Sequence, residues 1–256
     1  MKSSFVVAIP ARYASTRFPG KALALVGGIP MIRRVCMQAL KSEASRVIAC
    51  VDDERIAKAL EGLEGVSVCM TSPEAPSGTD RIAQMLRKES LPPDTCVVNI
   101  QGDEPMIDPA HINRVASLLE EKGADMATLC FPIGNEHDLF DPSCVKVVMN
   151  AQGFAMYFSR APIPYERDNF MHDRPSSFRH YHHVGIYSYR AATVLKFSAM
   201  EQCECERAES LEQLRVLNAG MTIAVGVIDN PPETGIDTPE DLERVNAALA
   251  SREDVI

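Results

Sequence analysis

Residues Phe5–Pro10 (FVVAIP) form an unbroken apolar run with no polar position between them. A strand of that kind is buried on both faces, as in a parallel sheet covered by helices on either side. Arg46–Val51 (RVIACV), Val66–Met70 and Thr95–Ile100 (TCVVNI) read as three more strands. Helical stretches separate them. Ile32, Val35, Cys36, Ala39 and Leu40 recur at i, i+3, i+4, i+7 and i+8, one face of a helix. A second helix starts at about Asp53, and a third covers Thr79–Lys88. Asp108-Pro109 opens the next one, with Asp as N-cap and Pro at the first helical position. This strand–helix alternation predicts an α/β fold with a largely parallel central sheet.

The rhythm changes after about residue 125. Asp125–Phe131, Val145–Met149, Ala155–Ser159 and Val184–Ser188 read as strands with few helices between them. Pro162 to Arg179 is polar and lacks periodicity, so an extended loop is expected inside a smaller β-rich region at about 130–190. Alternation returns with a helix over about Arg207–Asn218, a strand at Thr222–Val227 and a final helix. There Thr238-Pro239-Glu240-Asp241 resembles a capping box. No internal repeat or low-complexity segment is present. A chain of 256 residues buries ~73% of its unfolded surface on folding, enough for one domain with a full core and no disulfide or metal staple.

Charge and cysteine usage narrow the function classes. The 35 acidic residues outnumber the 26 basic ones, and a net charge of −9 argues against a general nucleic-acid binder. The eight cysteines include no CxxC pair and most lie in apolar runs, so buried free thiols are expected. Cys203 and Cys205 lack zinc-ligand spacing relative to His180, His182 and His183. No apolar stretch approaches the ~18 residues of a membrane span, and Arg12 interrupts the first one too early for a signal-peptide core. A cytoplasmic protein is expected.

Two segments concentrate the chemistry. The first strand runs into Ala11-Arg12-Tyr13-Ala14-Ser15-Thr16-Arg17-Phe18-Pro19-Gly20-Lys21, where three cations stand beyond a strand's carboxyl end, the usual ligand position in open α/β sheets. Such a loop suits a polyphosphate, although it is neither GxGxxG nor GxxxxGK[ST]. The missing glycine fingerprint disfavours a dinucleotide-dependent dehydrogenase. The fourth strand leads into Gln101-Gly102-Asp103-Glu104-Pro105. Its paired carboxylates follow a glycine that permits close approach, and they suit Mg²⁺ completed by water and phosphate oxygens. Asp237 precedes the last helix. Ser77-Gly78-Thr79-Asp80-Arg81 opens the third helix, either as a capping sequence or as an amide end that favours anionic or polar ligand atoms.

AIPARYASTRFPGK, SGTDR, NIQGDEP, YFSRAPIP, HVGIY, LEQLRVL and GIDTPEDLERV occur in this order across nearly the whole chain. Together they resemble the 3-deoxy-manno-octulosonate (Kdo) cytidylyltransferases. The first and third are shared more loosely with other sugar nucleotidyltransferases. The resemblance implies a Rossmann-like nucleotide-diphospho-sugar transferase fold and a Mg²⁺-dependent homodimer, with the β-rich region at about 130–190 in substrate binding and dimerisation. It implies the reaction CTP + Kdo → CMP-Kdo + diphosphate, which serves lipopolysaccharide synthesis. By that resemblance Arg12 and Lys21 bind the triphosphate with help from Arg17, and Ser77, Thr79 and Arg81 hold the nucleotide. Many relatives carry Glu at the position of Asp80. Asp103 and Asp237 match the Mg²⁺ ligands, and Arg12, Lys21 and Asp103 carry the catalysis. Gln101, Arg160, His183, Tyr187, Glu212 and Gln213 match the sugar-acid pocket. The same chemistry on 8-amino-Kdo or a sialic acid is the nearest alternative. A non-catalytic nucleotide-binding module would have no use for two metal acids on separate segments.

Overall fold

The computed structural model describes residues 4–15, 18–172, 176–233 and 235–250. The chain divides into two compact units. One comprises the described residues up to Asn113, Arg190–Ser198 and those from Pro232 onward; the other comprises Arg114–Tyr189 and Ala199–Pro231.

The first unit runs β1 (Phe5–Ala11), β2 (Leu25–Val26), β3 (Ile29–Pro30), α1 (Met31–Leu40), β4 (Arg46–Val51), α2 (Glu54–Ala59), β5 (Val66–Met70), α3 (Gly78–Glu89) and β6 (Cys96–Asn99), then enters α4 (Pro109–Lys122). β1 lies between β4 and β6 and is parallel to both, with Val7 opposite Val47 on one side and Val98 on the other. β5 adds to β4, again parallel. Every residue of β1 is buried, as its continuous apolar run requires. The helix starts follow the sequence signals. Asp53 caps α2, Ser77 caps α3, and the Asp108 carboxylate accepts from the Ala110 N–H at 2.8 Å.

The second unit holds the end of α4, then β7 (Met126–Pro132), α5 (Glu136–Phe140), β8 (Lys146–Met149), β9 (Ala155–Ser159), α6 (Arg167–Phe170) and β10 (Tyr181–Arg190). The chain passes through α7 (Ala191–Ser198), part of the first unit, and returns with α8 (Glu204–Glu209), α9 (Leu214–Asn218) and β11 (Ile223–Val227). The last helix, α10 (Pro239–Ala250), belongs to the first unit. β11 is parallel to β7, whereas β7 and β10, β8 and β10, and β8 and β9 pair antiparallel. The register of β10 slips between Val184 and Tyr187.

Two expectations change. The single helix over Arg207–Asn218 is two short ones, because Ser210 adopts a left-handed conformation at φ 52° and ends α8. Arg160 answers the carbonyls exposed by that break, donating to Glu209 O at 2.7 Å and Ser210 O at 3.5 Å. The loop expected over 162–179 contains the single turn α6 and closes on a buried carboxylate. Glu166 accepts from Asn169 Nδ2 (2.7 Å) and the Ser177 N–H (2.9 Å), and pairs with His180 Nε2 (2.7 Å). The 191–198 segment, α7, is a helix packed on α3. All eight cysteines are free. Cys36, Cys50, Cys69, Cys96 and Cys130 are buried, while Cys144 and Cys203 are half-buried and Cys205 is exposed. No described helix is long and apolar enough to cross a membrane.

Candidate active site

A cleft of about 270 Å³ opens in the first unit beyond the carboxyl ends of β1 and β6. Its walls include Arg12, Lys21, Ser77, Gln101, Asp103 and Asp237. Protein groups fix the loop after β1 at several points. The Tyr13 N–H donates to Asp52 Oδ1 at 2.8 Å, the Gly20 N–H to Tyr13 O at 3.2 Å, and the Phe18 N–H to Ser15 Oγ at 3.4 Å. Gly20, at φ 69°, makes the reversal that delivers Lys21 into the cleft.

Close backbone approach brings the two acids to Lys21. A Cβ on Gly102 would lie 2.8 Å from Pro10 O, so no larger residue fits between the end of β1 and the acidic loop. Ile236 is fully buried beside Val26, Met31 and Val245, and its N–H donates to Asp103 O at 3.0 Å. That bond sets Asp237 beside Asp103, 134 positions earlier in the chain. Lys21 Nζ then meets Asp103 Oδ2 at 2.6 Å and Asp237 Oδ1 at 3.0 Å. Thr238 and Asp241 cap α10 reciprocally: the Asp241 N–H donates to Thr238 Oγ1 at 3.2 Å, and the Thr238 N–H to Asp241 Oδ2 at 3.0 Å. Gly102→Ala is expected to cost about 1–3 kcal/mol, the usual range for overpacking. Denaturant midpoints with an unchanged m-value would register it, and an unchanged midpoint would show that the strand end yields freely.

The local field is strongly negative. Burial alone would lower the Lys21 pKa, but Asp103 and then Asp237 outweigh it and hold the ammonium above its ordinary value. Glu104, beside them, is pushed up to about 7 by burial and by repulsion from Asp103 and Asp237. One lysine faces three carboxyl groups, and an added cation would relieve the crowding. Among the described residues no cluster of three or more His, Cys, Asp or Glu side chains forms a closed metal cage. Two converging carboxylates with substrate and water oxygens suit the binding habit of Mg²⁺.

The other expected nucleotide residues fall into distinct places. Arg12 is exposed at the cleft, and Arg17 lies outside the described residues. Ser77 lines the cleft and caps α3, whereas Thr79 is buried in the first turn of that helix. Arg81 borders the cleft, yet its guanidinium donates to Thr71 Oγ1 (2.5 Å), Ser72 O (3.2 Å) and Asp52 Oδ2 (3.1 Å). The Arg81 and Asp52 side chains are 3% and 5% exposed, and Asp52 also holds the Tyr13 N–H. Arg81 thus braces the loop after β1 through Asp52. Sequence reasoning missed Asp52, whose only signal is its place at the end of β4.

Gln101 stands in the cleft of the first unit, and the remaining expected sugar-acid residues lie in the second. His183 and Tyr187 share a face of β10 with ring centres 5.4 Å apart, and Phe158 packs edge-on to His183 at 4.9 Å. Burial, reinforced by His182, pushes His183 down to about 3 and keeps the ring neutral. Burial and the nearby Glu212 raise the Tyr187 phenol. Gln213 is 4% exposed, and its Nε2 has no hydrogen-bond partner among the described residues. A buried amide donor without a partner costs free energy that a ligand acceptor would recover. Arg160 also donates to Pro142 O at 2.9 Å, so much of its guanidinium is spent on the chain's own carbonyls.

Comparison with known proteins decides the family. A family model described as cytidylyltransferase matches residues 6–223. The chain belongs to the cytidylyltransferase family. Among the relatives of this cytidylyltransferase is the 3-deoxy-manno-octulosonate cytidylyltransferase of Xanthomonas campestris pv. campestris (strain B100), 54% identical over 97% of this chain and 90% of the relative. The enzyme of the same name from Marinobacter nauticus is 50% identical over 96% of this chain and 97% of that one. A solved structure described as CMP:2-keto-3-deoxy-manno-octonic acid synthetase complexed with CTP superposes with a TM-score of 0.88. It is 39% identical and covers 97% of this chain and 99% of its own.

Proposed function

We propose that the chain transfers CMP from CTP to the anomeric hydroxyl of Kdo, giving CMP-Kdo and diphosphate for lipopolysaccharide synthesis in the cytoplasm. In a member of this family, the observation that carries the reading is the meeting of Lys21, Asp103 and Asp237 in one cleft beyond β1 and β6. The cleft suits the triphosphate. Arg12 and Lys21 supply cationic charge where the leaving diphosphate accumulates negative charge. Asp103 and Asp237 would hold Mg²⁺, which when bound supplies Lewis-acid activation of the attacking hydroxyl and the α-phosphate. His183, Tyr187, Glu212 and Gln213 suit the hydroxyls of a sugar acid. The oxygen–phosphorus bond to the sugar forms as the bond to diphosphate breaks, in line, so no protein nucleophile is required.

A diphosphate-release assay with CTP, Mg²⁺ and a panel of acid sugars tests the reading. Release is expected to need both CTP and Kdo, with sialic acid at least ~100-fold less efficient, because a site built to hydrogen-bond hydroxyls discriminates strongly. Preference for sialic acid, or for 8-amino-Kdo over Kdo, would replace the substrate and leave the cytidylyl transfer standing.

The proposal includes a homodimer formed through the β-rich region. In the loop around the Glu166 hub, Tyr165, Met171 and Phe178 are 62%, 65% and 69% exposed, more apolar surface than one loop usually leaves in water. An interface of ~1,600 Å² or more would cover it. Light scattering at micromolar concentration is expected to give twice the chain mass, and a purely monomeric reading would remove the dimer.

A further inference from the structure

The buried hydroxyl of Thr128 on β7 lies against three groups at once. His183 Nε2 is 3.0 Å away, the Val184 carbonyl 3.0 Å and the Ile186 carbonyl 2.8 Å. A hydroxyl carries one proton, and carbonyls can only accept. The Thr128 proton therefore belongs to the carbonyl side. His183 completes the set by donating Nε2–H to a hydroxyl lone pair. If Nε2 accepted instead, the hydroxyl oxygen would face two carbonyl oxygens with no proton between them. A neutral imidazole has one N–H, so a ring that donates from Nε2 presents a bare lone pair at Nδ1. No described residue bonds to that nitrogen. Thr128 also sits where the β10 register slips. It ties the carbonyls of Val184 and Ile186 on either side of Gly185, within the irregular stretch that ends at Tyr187.

We propose that Thr128 is a positioning residue: it holds His183 as the Nε2–H tautomer, so that Nδ1 accepts a hydrogen bond from a hydroxyl of the acid sugar. The inference rests on the reading of His183 as a sugar-binding residue. It gives His183 a single polarity toward the ligand, that of an acceptor. A sugar whose matching hydroxyl is removed or methylated would leave Nδ1 unpaired.

Two readouts separate this inference from the reading beneath it. The protein is labelled with ¹⁵N-histidine, and the His183 signals are assigned by their loss in His183→Gln. Long-range ¹H–¹⁵N correlations are expected to show a protonated Nε2 and a bare Nδ1 without any substrate. Thr128→Val keeps the branched shape but removes the hydroxyl, and should mix or reverse the tautomers. It should also raise KM for Kdo about tenfold, the size of one lost buried hydrogen bond, and leave KM for CTP unchanged within about twofold. Thr128→Ser restores the hydroxyl and should return both readouts toward wild type, and it remains available should the valine variant fold poorly. An Nδ1–H ring in the wild type, or a tautomer indifferent to Thr128→Val, overturns the inference alone. A tautomer that shifts as expected while KM for Kdo stays fixed removes His183 from the sugar pocket and overturns the reading beneath it.

Discussion

Replacing Asp237 or Asp103 with Asn is expected to lower kcat on the order of 100- to 1,000-fold while the protein stays folded. The expectation follows from the cleft's charge. Asp103 and Asp237 reach the same ammonium from segments far apart in the chain, and Glu104 beside them is raised to about 7 by burial first and then by their repulsion. The backbone around Asp237 is held by groups other than its own carboxylate. Asp241 holds the backbone N–H groups of Asp237 and Thr238, and Ile236 is bonded to Asp103 O. An activity loss in Asp237→Asn would therefore be chemical. Steady-state turnover across a Mg²⁺ titration, with circular dichroism as the folding control, measures it. Near-normal turnover of Asp237→Asn at limiting Mg²⁺ would take Asp237 out of the site.

Lys21→Ala should move two quantities in opposite directions. Loss of a cation that follows charge onto the leaving diphosphate is expected to cost about 2.7–4 kcal/mol of barrier, roughly 100- to 1,000-fold in kcat/KM for CTP. The same ammonium sits between the carboxylates proposed to hold Mg²⁺, so its removal should tighten Mg²⁺ binding in the absence of nucleotide. Calorimetric titration with MgCl₂ reads that second effect. A kinetic loss below tenfold, with Mg²⁺ affinity raised, would make Lys21 a counter-ion to Asp103 and Asp237 only.

Much of this arrangement can be read from the sequence, because its signals are local. A continuous apolar run identifies β1, Asp108-Pro109 and Thr238–Asp241 mark helix starts, and Gly102 announces a close approach that Pro10 O enforces. Features that depend on distant partners are silent. Asp52 matters through an N–H 39 positions away in the chain, and Thr128 through a slip in a strand more than fifty positions later. Ser210 gives no warning of a left-handed turn, since that conformation usually falls to glycine or asparagine, so one helix is expected where two are found. Arg160 is matched to the sugar-acid pocket by resemblance alone, and its bonds to the Glu209 and Ser210 carbonyls depend on a helix break that no local signal announces.

The brace from Arg81 through Asp52 to the Tyr13 N–H bears on the thermodynamics of nucleotide capture. A loop that ordered only around its ligand would give up backbone freedom at about 1–2 kcal/mol per residue at the moment of association. Here Tyr13, Phe18 and Gly20 are already tied by bonds internal to the protein. That entropy is surrendered during folding, when the buried Arg81–Asp52 pair forms. More of the attraction between Lys21 and the phosphates proposed to bind beside it would then be left to appear as affinity, the advantage of a preorganised site.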